Sequence, residues 1–198
     1  FAHDRIRQAA YSLIPEPDRK HAHLEIGRLL QRQLSERYVE ERLFEIVDHL
    51  NEGASLIDSA DEKRALAAMN LRSGRRTKDS AAYAAAAQYL DAAMRLLSED
   101  IWLQDYALAL SLYKEGAESE YLAGNHVNAD RLISIALEHA KTPVDQVEIY
   151  AIQVIVFTTQ NRLGEAISVG LRALGLLGGD MPDPSDATGL HDMLDREF

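Results

Sequence analysis

The stretch Ala86-Ala87-Gln88-Tyr89-Leu90-Asp91-Ala92-Ala93-Met94 carries the pattern that decides the fold. Ala86, Leu90 and Ala93 stand at i, i+4 and i+7, followed at once by Met94. The spacing recurs as Ala129, Ile133, Ala136 and Leu137, and again as Ala166, Gly170, Ala173 and Leu174. Residues so spaced share one face of a helix, and small side chains there let a second helix approach closely. Twelve residues before each first alanine stand Gly74, Ala117 and Val154, on the expected partner helix.

These copies predict an all-α protein in which antiparallel helical hairpins stack as a tetratricopeptide-like α-solenoid. The first alanines are 43 and then 37 residues apart, longer than the regular period of about 34 residues, so the repeats are divergent. The expected pairs are 61–78 with 80–97, 103–123 with 127–140, and 144–161 with 164–177. Gly124-Asn125 and Asn161 to Gly164 supply turns within the last two pairs, and Thr142-Pro143 separates them. Ile149 to Phe157 is rich in β-branched residues, yet no second strand is available to pair with it, and it is assigned to a helix.

Upstream, Ile6, Ala10, Leu13 and Ile14 mark a short helix stopped by Pro15. A helix starting near Pro17 and Asp18 runs through Leu24, Ile26, Leu29, Leu30 and Leu34. A third carries Leu43, Phe44, Ile46, Val47 and Leu50 and closes on Gly53, expected as a left-handed cap. The last two pair as a hairpin. After Gly178-Gly179 a loop containing Pro182 and Pro184 leads to Leu190, Met193 and Leu194, the start of a further helix.

The chain has 198 residues, 46% of them apolar, which is enough for one or two domains with a substantial core. Its net charge of −11 argues against gripping the nucleic acid backbone or an anionic membrane. It has no Cys, hence no disulfide, thiolate zinc site or cysteine nucleophile, in keeping with a cytoplasmic location. No apolar run approaches the roughly 18 residues of a membrane span, and no signal peptide is evident. Membrane insertion is not expected. A start at Phe1 and an end at Phe198, each inside an amphipathic segment, suggest a piece of a longer protein.

The chain lacks a phosphate-cradling glycine loop, a dinucleotide-binding glycine motif and a nucleophile elbow, so neither a catalytic residue nor a cofactor is expected. Among the histidines, His21 and His23 are two apart on one helix and point in different directions, so they cannot share a metal. Satisfied or solvent-facing histidines, and no metal, are expected. Arg72, Arg75 and Arg76, joined by Lys78, form the densest basic patch. It reads either as a dock for an acidic partner or neighbouring domain, or as a solvated face balanced by Asp61, Glu62 and Asp79. The repeat register places Arg75, Lys78, Lys114, Glu118, Tyr121, Glu148 and Thr158 on the inner surface. Tyr83, Tyr89, Tyr106, Tyr113, Tyr121 and Trp102 read as packing residues between hairpins.

Four stretches carry a resemblance: Phe1-Ala2-His3-Asp4-Arg5-Ile6-Arg7-Gln8-Ala9-Ala10-Tyr11-Ser12-Leu13-Ile14-Pro15, then His23 to Leu30, Leu43 to Asn51, and Asn70-Leu71. They resemble the helical region that follows the ATPase module in very large bacterial signalling proteins. Those proteins combine a serine/threonine kinase, a STAND-type AAA-like ATPase, sensor domains and often a histidine kinase. The resemblance implies that residues 1–15 are the tail of the winged-helix part of that module. Residues 16–178 would be the tetratricopeptide-like array, and 179–198 a linker and the start of a further hairpin. His3-Asp4 is similar to a Met-His-Asp motif that senses nucleotide phosphates, with Ala2 in place of the Met. The implied role is a non-catalytic scaffold coupling an ATPase switch to kinase output through a protein partner or neighbouring domains. The alternative is the inducer- or inhibitor-binding helical region of an ATP-dependent transcription activator.

Overall fold

The computed structural model describes residues 15–33 and 36–178, and every regular element among them is helical. The expected helices at 3–14 and from Leu190, and the site residues His3 and Asp4, lie outside the described residues. The chain divides into two compact units, one reaching Asn125 and one beginning at His126.

In the first unit, α1 (Glu16–Gln33) opens with Glu16 and Asp18 at its positive end. A short helix that the periodicity did not show, α2 (Glu36–Glu41), precedes α3 (Leu43–Glu52). Leu43, Ile46, Val47 and Leu50 stand at i, i+3, i+4 and i+7 on α3, and all are buried. They join Leu24, Ile57, Leu66 and Met69 in one apolar core. The hairpin of α1 with α3 is therefore present, but its glycines act differently from expectation. Gly53 has φ −92 and ψ 0, not the left-handed cap conformation. It is needed for space, because a Cβ there would sit 2.6 Å from the Leu24 Cβ and 2.9 Å from the Lys20 carbonyl oxygen. Gly27 serves the same approach from α1, facing Leu50.

Helix α4 (Ala60–Asp79) starts at Ser59, whose hydroxyl accepts from the Glu62 backbone N–H. Its partner α5 (Tyr83–Leu96) follows a turn in which Ala81 takes φ 58. The repeat register holds at this contact: Ala86, Leu90 and Ala93 are buried, and Leu90 fills the space beside Gly74. The expected continuous helix from 103 is broken. Asp105 separates α6 (Ile101–Gln104) from α7 (Tyr106–Leu122), and its carboxylate accepts the Leu108 N–H at 3.1 Å as a new cap. Trp102 is buried and packs against the half-buried Tyr106 and Tyr113 at ring-centroid distances of 6.0 and 5.0 Å, contacts that hold α6 to α7 and not one hairpin to another. Gly124, at φ 86, closes α7 with the conformational freedom the turn requires.

In the second unit, α8 (His126–His139) buries Ala129, Leu132, Ile133 and Ala136. Helix α9 (Pro143–Thr159) begins with a capping box. The Asp145 N–H donates to the Thr142 hydroxyl at 3.1 Å, and the Thr142 N–H donates to the Asp145 carboxylate at 3.0 Å. The β-branched run Ile149 to Phe157 lies wholly inside this helix. Asn161, at φ 58, turns the chain into α10 (Leu163–Leu176). Here Gly170 faces Val154, and an added Cβ would sit 3.9 Å from a Val154 methyl group, an ordinary contact. Ala129 is fully buried, so Ala129→Leu should destabilise the chain by about 1–3 kcal/mol. A thermal melt indistinguishable from wild type would contradict the small-residue register.

Candidate interaction surface

Helix α4 carries Arg72, Arg75, Arg76 and Lys78 within two turns, and the structure shows where each charge goes. Glu40, from α2, meets both Arg72 and Arg76, the latter at 2.5 Å. Arg76 also donates to the Glu40 carbonyl oxygen at 2.7 Å. Glu115, from α7, accepts from Arg75 at 2.7 Å and from Lys78 at 2.6 Å, while Glu118 accepts from Lys78 at 2.6 Å. The cluster is thus matched by carboxylates on two other helices of the same unit. Asp61 and Glu62, expected to balance it, pair instead with Arg64 and Arg28. Sequence spacing shows which charges share a helix face, but not which carboxylates a later helix brings against them.

The two ties differ in weight. Arg72 and Arg76 are nearly half exposed, so their contacts with Glu40 contribute little. Lys78 and Glu115 each retain only 18% of their side-chain exposure. Burial pushes the Glu115 carboxyl up, but hydrogen bonds from Lys78 and Arg75 outweigh it and hold the group below the ordinary carboxylate range. Burial pulls Lys78 down, and its bonds to Glu115 and Glu118 more than offset that.

These directions fix the pH window. A depressed carboxyl stabilises the fold above its unfolded value of about 4.3 and loses that contribution as pH falls through its folded value. A raised lysine stabilises below about 10.4 and loses its contribution as pH rises through its folded value. Glu115→Gln should therefore cost about 1–3 kcal/mol at neutral pH, and the gap from wild type should narrow in acid. Melting curves at pH 7 and about pH 3.5 check this; an equal gap at both would contradict the charge assignment.

Of the other expected surface residues, Glu118 meets Lys78 directly and Lys78 shares Glu115 with Arg75, whereas Arg72 and Arg76 turn away to Glu40. Lys114 is half-buried and Tyr121 is buried on α7. Glu148 and Thr158 are exposed on α9, with the Thr158 hydroxyl donating to the Val154 carbonyl at 2.7 Å.

Periodicity alone missed several polar pairs that tie helices together. Asn70, fully buried on α4, exchanges two amide hydrogen bonds of 2.8 Å with Asn51 at the end of α3. Arg28 grips Glu62 through two bonds, at 2.7 and 2.9 Å. The Tyr89 hydroxyl donates to Asp48 at 2.7 Å, and burial with that carboxylate raises the phenol above its ordinary range. His23 and His49 meet Nδ1 to Nδ1 at 2.8 Å. The available signal was that Asn51, Asn70, Arg28, His23 and His49 all fall in the stretches that carry the family resemblance. Among the described residues no group of three His, Cys, Asp or Glu side chains is placed to hold a metal ion, and no helix is long and apolar enough to cross a membrane.

Over 201 aligned positions the chain is 31% identical to hybrid signal transduction histidine kinase G of Dictyostelium discoideum. The match covers 88% of this chain and 6% of that protein, so the chain spans a small fraction of the relative's length. The similarity gives the chain a signalling-kinase context, although the relative's source lends no support to a specifically bacterial one. No family model and no solved structure matches.

Proposed function

We propose that the chain is a non-catalytic, tetratricopeptide-like helical region of a multidomain signalling kinase, coupling an ATPase switch to kinase output through contacts with a protein partner or with neighbouring domains. The observation that carries this reading is the match along 88% of the chain to a small part of a very much longer histidine kinase. A segment of that size within a large kinase has room to serve as a scaffold. Helical hairpins suit the task because each contacts mainly its neighbours and leaves an extended surface for recognition. The internal pairing of Arg72, Arg75, Arg76 and Lys78 supports a structural role for that cluster. The same reading assigns His3 and Asp4 to nucleotide sensing in an adjoining ATPase module, and a cytoplasmic setting to the whole.

The test is calorimetric titration of the purified chain with the ATPase and kinase domains of the same protein. A saturable complex with either domain supports the proposal; no association with either counts against coupling by direct domain contact.

A further inference from the structure

His23 on α1 and His49 on α3 come from positions 26 residues apart and bring two ring nitrogens to 2.8 Å. The ring centroids are 4.8 Å apart and the planes are tilted by 40°. Two neutral imidazoles hold this arrangement when one Nδ1 carries the proton and the other accepts it. The same convergence of nitrogens suits a shared cation. Two metal–nitrogen bonds of about 2.0–2.1 Å at a right angle place the nitrogens about 2.9 Å apart, and a tetrahedral angle about 3.3–3.4 Å apart. The observed spacing is nearer the right angle, which is the preference of tetragonal Cu2+ and octahedral Ni2+ centres.

The backbone beneath the pair is held in place. Leu24 and Leu50, each next in sequence to one of the histidines, are buried in the core. Gly27 and Gly53 let α1 and α3 approach so closely that an added Cβ would clash at either position. Asp48, the carboxylate beside His49, accepts from the Tyr89 hydroxyl at 2.7 Å. Both histidines are half-buried, so solvent can reach them.

We propose that His23 and His49 form a two-imidazole chelate for a divalent transition metal ion of the Cu2+ or Ni2+ type, with water in the remaining positions. When the ion enters, the proton on the shared Nδ1 leaves to solvent and Nε2 of the same ring takes one up. Both Nδ1 lone pairs then face the metal, with no net change in protonation of a neutral pair. The bound ion staples α1 to α3.

The test adds NiCl2 or CuSO4 alone to the metal-free, full 198-residue chain and follows bound equivalents and the melting temperature. The wild type is expected to melt several degrees higher with metal. His23→Gln and His49→Gln should each lose one bound equivalent and abolish that rise, whereas His21→Gln keeps both. The electron paramagnetic resonance spectrum of the Cu2+-loaded wild type, which needs no variant to fold, should show coupling to two imidazole nitrogens. Absence of a metal-induced rise in the wild type, a rise that survives both substitutions, or a spectrum lacking imidazole coupling would each overturn the proposal.

Discussion

Gly53→Val is expected to lower the stability of the chain by about 3 kcal/mol. The reason is that its new Cβ would meet backbone. The Leu24 Cβ lies at 2.6 Å, the Lys20 carbonyl oxygen at 2.9 Å and the Leu24 Cα at 3.0 Å. None of these can swing aside as the end of a flexible side chain can, and Leu24 is itself fully buried in the core. Relief therefore requires α1 and α3 to separate, exposing part of the core around Ile46, Val47 and Leu50. For a domain of this size such a loss corresponds to a fall of about 6–12 °C in melting temperature. A fall below about 2 °C would mean that the two helices do not approach as described.

The second large effect is a contrast in sign between two glycines that occupy related places in different hairpins. A Cβ at Gly74 would lie 2.8 Å from the Leu90 Cγ and 3.0 Å from a Leu90 methyl group, and Leu90 is buried with nowhere to go. Replacing a mid-helix glycine by alanine favours the helix by about 1 kcal/mol, so Gly74→Ala should destabilise only because the clash exceeds that gain. At Gly170 the nearest atom is 3.9 Å away, and the same substitution should stabilise by up to about 1 kcal/mol. The coupling can be isolated. Leu90→Ala alone should cost about 2–5 kcal/mol, and combining it with Gly74→Ala should cost at least 1 kcal/mol less than the sum. Additive losses would show that Gly74 and Leu90 do not share a contact.

Much of this architecture was legible because helical periodicity reports burial directly. Ala86, Leu90 and Ala93, then Ala129, Ile133 and Ala136, were expected on inner faces and are buried there. The third copy is weaker, with Ala166 buried but Leu174 exposed. Thr142-Pro143 was read as the break between two hairpins, and it stands at the start of α9, with Thr142 as the cap and Pro143 first in the helix. The misreadings share a cause. Gly53 looked like a left-handed cap because that is the commonest reason for a glycine after a helix, whereas its role depends on how near Leu24 lies. Asp105 looked like a polar residue in a continuous helix, and only the cap it gives Leu108 shows the break. The surface was less legible still. Arg72, Arg75, Arg76 and Lys78 were visible as a cluster, but their carboxylate partners Glu40, Glu115 and Glu118 lie 32 to 40 residues away, and such pairings depend on packing that periodicity does not encode.

The pairing of those charges bears on function as much as on stability. A basic patch already neutralised by its own unit offers little net attraction to an acidic partner, since each ion pair would have to be exchanged for another of similar strength. Under the proposed role, recognition then rests on shape and on groups other than this cluster. A coupling region of this kind changes output only to the extent that it contacts the on and off states of its neighbours differently.

The most direct measurement is therefore made on the longer signalling protein to which the chain is proposed to belong: phosphorylation output, with and without its activating signal, before and after removal of residues 16–178. The proposed role, that of a non-catalytic scaffold, predicts that the shortened protein still phosphorylates but that its output no longer follows the signal. Signal-dependent phosphorylation of the same amplitude in both proteins would contradict it.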